Sequence, residues 1–144
     1  MRAFVQELPQ HSIVCREGDP SMDLYLLQSG KLLVCTVVGK EVKALNRILP
    51  GQFFGELSFF DGLTRSGTII TMEKSTLIQI PRAEIHNQLP SWYSKICSDV
   101  TKRIRLLDEV IQDAKIRHSD AEEMRPLSIE EQRLYLDIIT HQDA

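Results

Sequence analysis

The chain has no long apolar run, no excess of basic residues and no cluster of histidines. No apolar stretch approaches the roughly 20 residues of a membrane-spanning helix, and nothing at the N-terminus resembles a signal peptide. The formal charge of −3 argues against general nucleic-acid binding, which usually needs a basic face. We therefore expect a cytoplasmic protein that binds neither membranes nor nucleic acid.

Cysteine and histidine are too few and too scattered for a metal site. Cys15, Cys35 and Cys97 are odd in number and lack metal-site spacing, which indicates reduced, mostly packed thiols. A metal-dependent barrel enzyme needs clustered histidines and a carboxylate, but only His11 lies in the strand region. No nucleophile motif occurs either. We expect no metal, no cofactor and no catalysis.

Glycine and proline divide the chain into two parts. From Ser91 onward there is no glycine and one proline, Pro126, whereas earlier turns such as Gly39-Lys40 separate short β-prone runs. The length suits one domain. We predict a mainly β fold with C-terminal helices: a jelly-roll β-barrel over residues 1–90, a long helix over 91–118, and a linker with an output helix over 119–144.

The long helix carries an apolar seam whose steps alternate between four and three. Its members are Tyr93, Cys97, Val100, Ile104, Leu107, Ile111 and Ala114. Such spacing is typical of a coiled coil, so a parallel homodimer through this helix is expected. The alternative is one amphipathic helix that caps its own barrel.

The terminal helix begins with a capping box, in which Ser128 is followed three residues later by Glu131. Its apolar residues are Leu134, Leu136, Ile138 and Ile139, and the sequence stops without a C-cap. Helices without a C-cap usually continue. We therefore expect a covalently linked output domain beyond Ala144.

The most informative segment runs from Gly51 to Ile69. Gly55 lets the backbone approach a ligand closely, and the short apolar run after it can form one helical turn whose free N–H groups suit an anion. Arg65 supplies a planar donor fork for phosphate. Ser66 adds a hydroxyl, and Glu56 offers an acceptor for a sugar hydroxyl. An ordinary surface arginine at a strand start is the alternative for Arg65.

This segment resembles the phosphate-binding cassette of the cyclic nucleotide-binding domain family. The matching motifs are Phe54-Gly55-Glu56 and Arg65-Ser66, preceded by Glu17-Gly18-Asp19-Pro20, Asp23-Leu24-Tyr25-Leu26 and Ser29-Gly30-Lys31-Leu32 and followed by Ile80 to Ile85. Several motifs in one order are more specific than any single motif. The resemblance implies a regulatory domain that binds a cyclic mononucleotide.

The ligand-binding residues predicted on this basis are Phe54, Gly55, Glu56, Leu57, Ser58, Arg65, Ser66, Leu107 and Asp108. The apolar side chains of the cassette, which are Phe53, Phe54, Leu57, Phe59 and Phe60, are interpreted mainly as core. Thr64 and Gly67 depart from the family's usual proline and alanine without removing a contact group. The alternative function is a degenerate domain that serves only as a protein–protein interaction or dimerisation module.

Two further expectations concern the base and the output. Family members that prefer cyclic GMP often place a hydroxyl where Ser66 stands, and Asp108 can accept from two guanine donors while repelling the adenine N1 acceptor. We therefore expect a slight preference for cyclic GMP over cyclic AMP. The closing residues Thr140 to Ala144 resemble the helix that enters diguanylate cyclase domains, which suggests such an output domain.

Overall fold

Two antiparallel sheets organise the part of the chain that the computed structural model describes, residues 2–114 and 125–142. The strands within these ranges are β1 (Phe4–Leu8), β2 (Ile13–Cys15), β3 (Leu24–Ser29), β4 (Leu32–Val38), β5 (Glu41–Ile48), β6 (Phe53–Phe54), β7 (Thr68–Thr71) and β8 (Ser75–Ile80). One sheet has the order β1-β8-β3-β6 and the other β2-β7-β4-β5. The helices are α1 (Glu56–Asp61), α2 (Arg82–His86), α3 (Ser91–Ala114) and α4 (Ile129–His141). The predicted fold class is confirmed.

The main core lies between the two sheets. It takes Tyr25, Leu27, Phe54 and Leu77 from the first sheet and Cys15, Leu32, Ile48 and Ile69 from the second. Because successive side chains of a strand point to opposite faces, the neighbours Leu33 and Ile70 point away from this core. They are nevertheless fully buried. The second sheet is therefore covered on both faces.

The cover on the outer face is α4. Leu127, Tyr135 and Ile138 form a second apolar cluster with Leu33, Cys35, Val42 and Ile70. The predicted capping box is confirmed, since the Glu131 N–H donates to Ser128 Oγ at 3.1 Å and the Ser128 N–H donates to Glu131 Oε1 at 3.1 Å. The helix that was predicted to be the output helix therefore packs on the outer face of the second sheet. Most of the predicted linker lies outside the described residues.

Helix α3 has little apolar cover. Tyr93, Val100, Ile104 and Leu107 of the predicted seam are 39–61% exposed, whereas Thr101 is 4% exposed. A helix that merely capped its own barrel would bury its apolar face. The exposed seam does not fit the alternative of a helix that caps its own barrel, and the dimer stays a prediction. The side chains of Ile111 and Ala114 lie outside the described residues.

Among the described residues, no helix is long and apolar enough to span a membrane.

Candidate functional site

Pairing between β3 and β6 brings the predicted cassette to the edge of the first sheet. Tyr25 lies opposite Phe54, and their rings stack with centroids 5.0 Å apart. Gly55 follows with a φ of 79°, a left-handed conformation that glycine adopts without strain. A Cβ there would lie 2.6 Å from Arg65 Nη1 and 2.9 Å from the Asp23 carbonyl oxygen. A side chain at this position would therefore be both strained and obstructed.

The six-residue helix α1 starts directly after Gly55. Its first intrahelical bond runs from the Phe59 N–H to the Gly55 carbonyl at 3.2 Å. The N–H groups of Glu56, Leu57 and Ser58 come before that bond and have no acceptor inside the helix. Glu56 is exposed, Leu57 is half-buried and Ser58 is buried. The cassette therefore offers backbone donors beside Gly55.

Arg65 is a buried cation, with only 5% of its surface exposed. Its Nη1 donates to the Gly55 carbonyl at 2.9 Å, and Nη2 donates to the Asp23 carbonyl at 2.6 Å and to Ser21 Oγ at 3.4 Å. The guanidinium lies 5.8 Å from the centre of the Tyr25 ring. Its Nε is buried and, among the described residues, has no hydrogen-bond acceptor.

These partners are all neutral, which leaves the charge of Arg65 without a carboxylate among the described residues. Buried charges in proteins are normally paired, because the removal of an ion from water is costly. An anion beside Nε would supply the missing pairing. The alternative of an ordinary surface arginine does not fit this burial.

An ion pair holds α3 against the cassette. Arg105 Nε donates to Asp61 Oδ2 at 2.5 Å, and its Nη2 donates to Asp61 Oδ1 at 3.1 Å. The same Nη2 donates to the Thr64 carbonyl at 3.2 Å, directly before Arg65. The Asp61 side chain is fully buried, and that of Arg105 is 17% exposed. One arginine of α3 therefore contacts both ends of the segment between α1 and Arg65.

The predicted base-contacting residues, Leu107 and Asp108, lie two and three residues after Arg105 in α3. Leu107 is 61% exposed and Asp108 is also exposed. Within the described residues no hydrogen bond joins either side chain to the cassette. Partial desolvation raises the pKa of Asp108, and the Arg105 guanidinium opposes that shift. The contact of Leu107 and Asp108 with a bound base therefore stays a prediction.

The remaining predicted residues divide by burial. Gly55 and Arg65 are brought into direct hydrogen-bond contact, whereas Ser66 is exposed beside Arg65. Among the apolar cassette residues, Phe54 and Phe59 belong to the buried set as predicted. The prediction for Phe53 is wrong, since it is 54% exposed. Its neighbour Phe54 faces the core, and alternation along a strand therefore turns Phe53 outward.

Several residues of this site, among them Asp23, Tyr25, Asp61 and Arg105, were not predicted from the sequence. Asp23 accepts from Arg65 through its carbonyl, and its carboxylate accepts from Gln79 Nε2 at 2.7 Å and from the Arg82 N–H at 3.0 Å. Tyr25 lies under the Arg65 guanidinium, and Asp61 binds Arg105. Asp23 directly precedes β3 and Tyr25 lies in it. Both belong to the motif Asp23-Leu24-Tyr25-Leu26, which is the signal that the sequence offered. The ion pair spans 44 residues and left no local signal.

No group of three or more His, Cys, Asp or Glu residues in the described ranges has the arrangement to hold a metal ion.

The chain is similar in sequence to known proteins. A cyclic AMP receptor protein of Thermus thermophilus is 30% identical over 104 residues, which are 69% of this chain and 48% of that protein. A cGMP-dependent protein kinase of Eimeria tenella is 36% identical over 78 residues, 54% of this chain and 7% of the kinase. The chain thus spans about half of the length of the first relative and a small part of the second.

A solved structure gives the same fold. The cAMP-bound form of the EAL enzyme Bd1971 superposes with a TM-score of 0.66 at 19% identity, over 78% of this chain and 31% of that one. The family model for the cyclic nucleotide-binding domain matches residues 5–91, which include both sheets and the whole cassette. This chain belongs to the cyclic nucleotide-binding domain family.

Proposed function

We propose that this domain is a sensor that binds a 3′,5′-cyclic mononucleotide with the cyclic phosphate against Arg65. The observation that carries the proposal is a buried guanidinium with only neutral acceptors and an unpaired Nε. The planar guanidinium fork can donate to two phosphate oxygens at once, so a phosphate satisfies several of its N–H groups. The phosphate would draw the donors away from the Gly55 and Asp23 carbonyls.

The neighbouring residues complete such a site. The N–H groups of Glu56, Leu57 and Ser58 form the start of α1, directly after Gly55, and have no acceptor inside the helix. The Ser66 hydroxyl directly follows Arg65 in the chain. The exposed Glu56 carboxylate is an acceptor for a ribose hydroxyl. Phe54 is buried against Tyr25, so its role is to place Gly55.

Isothermal titration with cyclic AMP and cyclic GMP tests the proposal. Arg65→Ala should weaken binding by about 1.5–3 kcal/mol, the range for a hydrogen bond to a charged group. Arg65→Lys keeps the charge but loses the fork, and should also weaken binding. Circular dichroism of each variant controls for loss of the fold.

The competing function is a degenerate domain used only for protein–protein contact. Such a domain needs no anion site, so this function would not explain why Arg65 is buried without a carboxylate partner among the described residues. Titration that gives no heat with either nucleotide at concentrations well above micromolar would favour this alternative.

We also propose that the domain slightly prefers cyclic GMP over cyclic AMP. Arg105 is engaged by Asp61, so the Asp108 carboxylate remains available to accept from guanine N1–H and the exocyclic amine. One relative is named for cyclic AMP and another for cyclic GMP, so the relatives do not choose between the bases. Asp108→Asn should lower the ratio of cyclic GMP to cyclic AMP affinity. An unchanged ratio would contradict this role.

The preference should also depend on pH in one direction. Only the ionised carboxylate accepts from both guanine donors, so the preference is present above the Asp108 pKa and is lost as pH falls through it. Desolvation raises that pKa. The loss should therefore begin at a higher pH than for a free aspartate, which titrations over a pH series would measure.

We further propose that α3 forms a homodimer and relays occupancy to an output domain. Its exposed Val100, Ile104 and Leu107 supply the apolar face that a second copy would cover. Multi-angle light scattering of the 144-residue chain should give the dimer mass, and Ile104→Glu should give the monomer mass. A monomeric wild-type chain would contradict the proposal.

The proposed output is a diguanylate cyclase, and the domain itself does no chemistry on the nucleotide. The support is the resemblance of Thr140 to Ala144 to the helix that enters such cyclases. The parent gene is the test, since a kinase or channel after Ala144 would contradict the assignment. Chromatography of cyclic nucleotide incubated with the domain should show no 5′-monophosphate. A gel-shift assay should likewise show no binding of nucleic acid.

A further inference from the structure

The C-terminal end of α4 is held by an arginine from the start of the chain. Arg16 Nη1 donates to the Ile139 carbonyl at 2.8 Å, across 123 residues of sequence, and its Nη2 donates to the Gln142 carbonyl. The last carbonyls of a helix have no intrahelical donor, and they carry the negative end of the helix dipole. Arg16 therefore satisfies and neutralises the end of α4.

The same arginine belongs to a turn, residues 16–19, that holds the backbone of Arg65. Within the turn, the Arg16 N–H donates to Asp19 Oδ2 at 2.8 Å and the Asp19 N–H donates to the Arg16 carbonyl at 3.0 Å. Towards the site, the Gly18 N–H donates to the Arg65 carbonyl at 2.9 Å, and the Arg65 N–H donates to the Asp19 carbonyl at 3.0 Å. Hydrogen bonds thus connect the cassette arginine to the end of α4.

We propose that Arg16 transmits phosphate occupancy at Arg65 to the last turn of α4, by a route that does not use α3. The inference rests on the proposed nucleotide site. A bound phosphate fixes the Arg65 guanidinium, which otherwise donates to neutral carbonyls. Because the turn holds the Arg65 backbone from both sides, fixing Arg65 also restrains Arg16 and the helix end that it caps.

Hydrogen exchange of the full 144-residue chain, read from a peptide that covers Ile138–Gln142, tests this route. In wild type, saturating cyclic AMP or cyclic GMP should slow exchange in this peptide by about twofold or more. Without nucleotide, Arg16→Gln should speed exchange about three- to tenfold, because a charged cap is lost. In Arg16→Gln the effect of nucleotide on this peptide should disappear, while the affinity measured by titration stays within about threefold of wild type.

Arg133→Gln is the matched control. Arg133 is an exposed residue of α4, so this variant also removes one positive charge but leaves the contacts of Arg16 with the end of α4 in place, and it should keep the wild-type response. If no nucleotide gives heat on titration, the proposed function fails and this inference fails with it. If nucleotide binds but exchange at the end of α4 is unchanged or faster, the inference alone is overturned. Retention of the slowing in Arg16→Gln would overturn it as well.

Discussion

The ion pair between Asp61 and Arg105 allows the sharpest prediction about stability. The Asp61 side chain is fully buried and accepts three hydrogen bonds, two from Arg105 and one from the Leu63 N–H at 2.9 Å. Removal of one partner from a buried pair costs about 3–5 kcal/mol because the other charge is left uncompensated. Arg105 retains 17% of its side-chain exposure, so solvent screens part of that cost.

We therefore expect Arg105→Gln to lower the free energy of unfolding by about 2–3 kcal/mol. Asp61→Asn should cost less, about 1–2 kcal/mol, because the amide oxygen still accepts from Leu63 or Arg105. In urea titrations with an m-value of about 2 kcal/mol/M, Arg105→Gln should lower the midpoint by about 1 M. The double variant should cost less than the sum of the two single variants.

The chain supplies an exposed ion pair as the matched control. Lys95 Nζ lies 3.4 Å from Asp99 Oδ1 on the same helix, with side chains 75% and 46% exposed. Lys95→Gln should change stability by less than about 0.5 kcal/mol. If Arg105→Gln costs no more than Lys95→Gln, or if the two single effects simply add, the ion pair does not hold α3 to the cassette.

Two other predictions concern Gly55 and the cysteines. Gly55→Ala should abolish nucleotide binding and destabilise the domain more than Gly39→Ala does, because both have positive φ but only a Cβ at Gly55 meets neighbouring atoms; equal losses of stability, measured by thermal unfolding, would contradict this. Burial raises the pKa of Cys15 to about 11 and that of Cys35 to about 12, so both thiols stay protonated near pH 8. Iodoacetamide should therefore modify the half-buried Cys97 first, as mass spectrometry of the peptides would show.

The cassette could be predicted from the sequence because its determinants are local. Gly55 and Arg65 are ten residues apart, and each has a backbone or charge property that few residues share. The capping box at Ser128 is local in the same way, since both of its bonds join residues three apart. Local geometry leaves a pattern that can be read without knowledge of the fold.

The contacts made by the two C-terminal helices could not be predicted, because they join distant residues. Arg105 reaches Asp61 across 44 residues, and Arg16 reaches Ile139 across 123. The apolar pattern of α4 was also ambiguous. Leu134 is one of the apolar residues of this helix in the sequence but is 41% exposed, whereas Tyr135, which is not in that set, is 3% exposed. Only the position of the second sheet decides which side of α4 is covered.

The two helices are held by different forces, and this difference determines how each can respond to a ligand. Helix α3 joins the cassette through a polar contact at Arg105 and leaves Val100 and Leu107 exposed, so little apolar area resists its displacement. Helix α4 buries Tyr135 and Ile138 against the second sheet, and each such side chain stabilises by about 1.5–3 kcal/mol. A phosphate at Arg65 should therefore be able to displace α3 as a unit. In α4 the response should be confined to the end of the helix, whose carbonyls Arg16 caps.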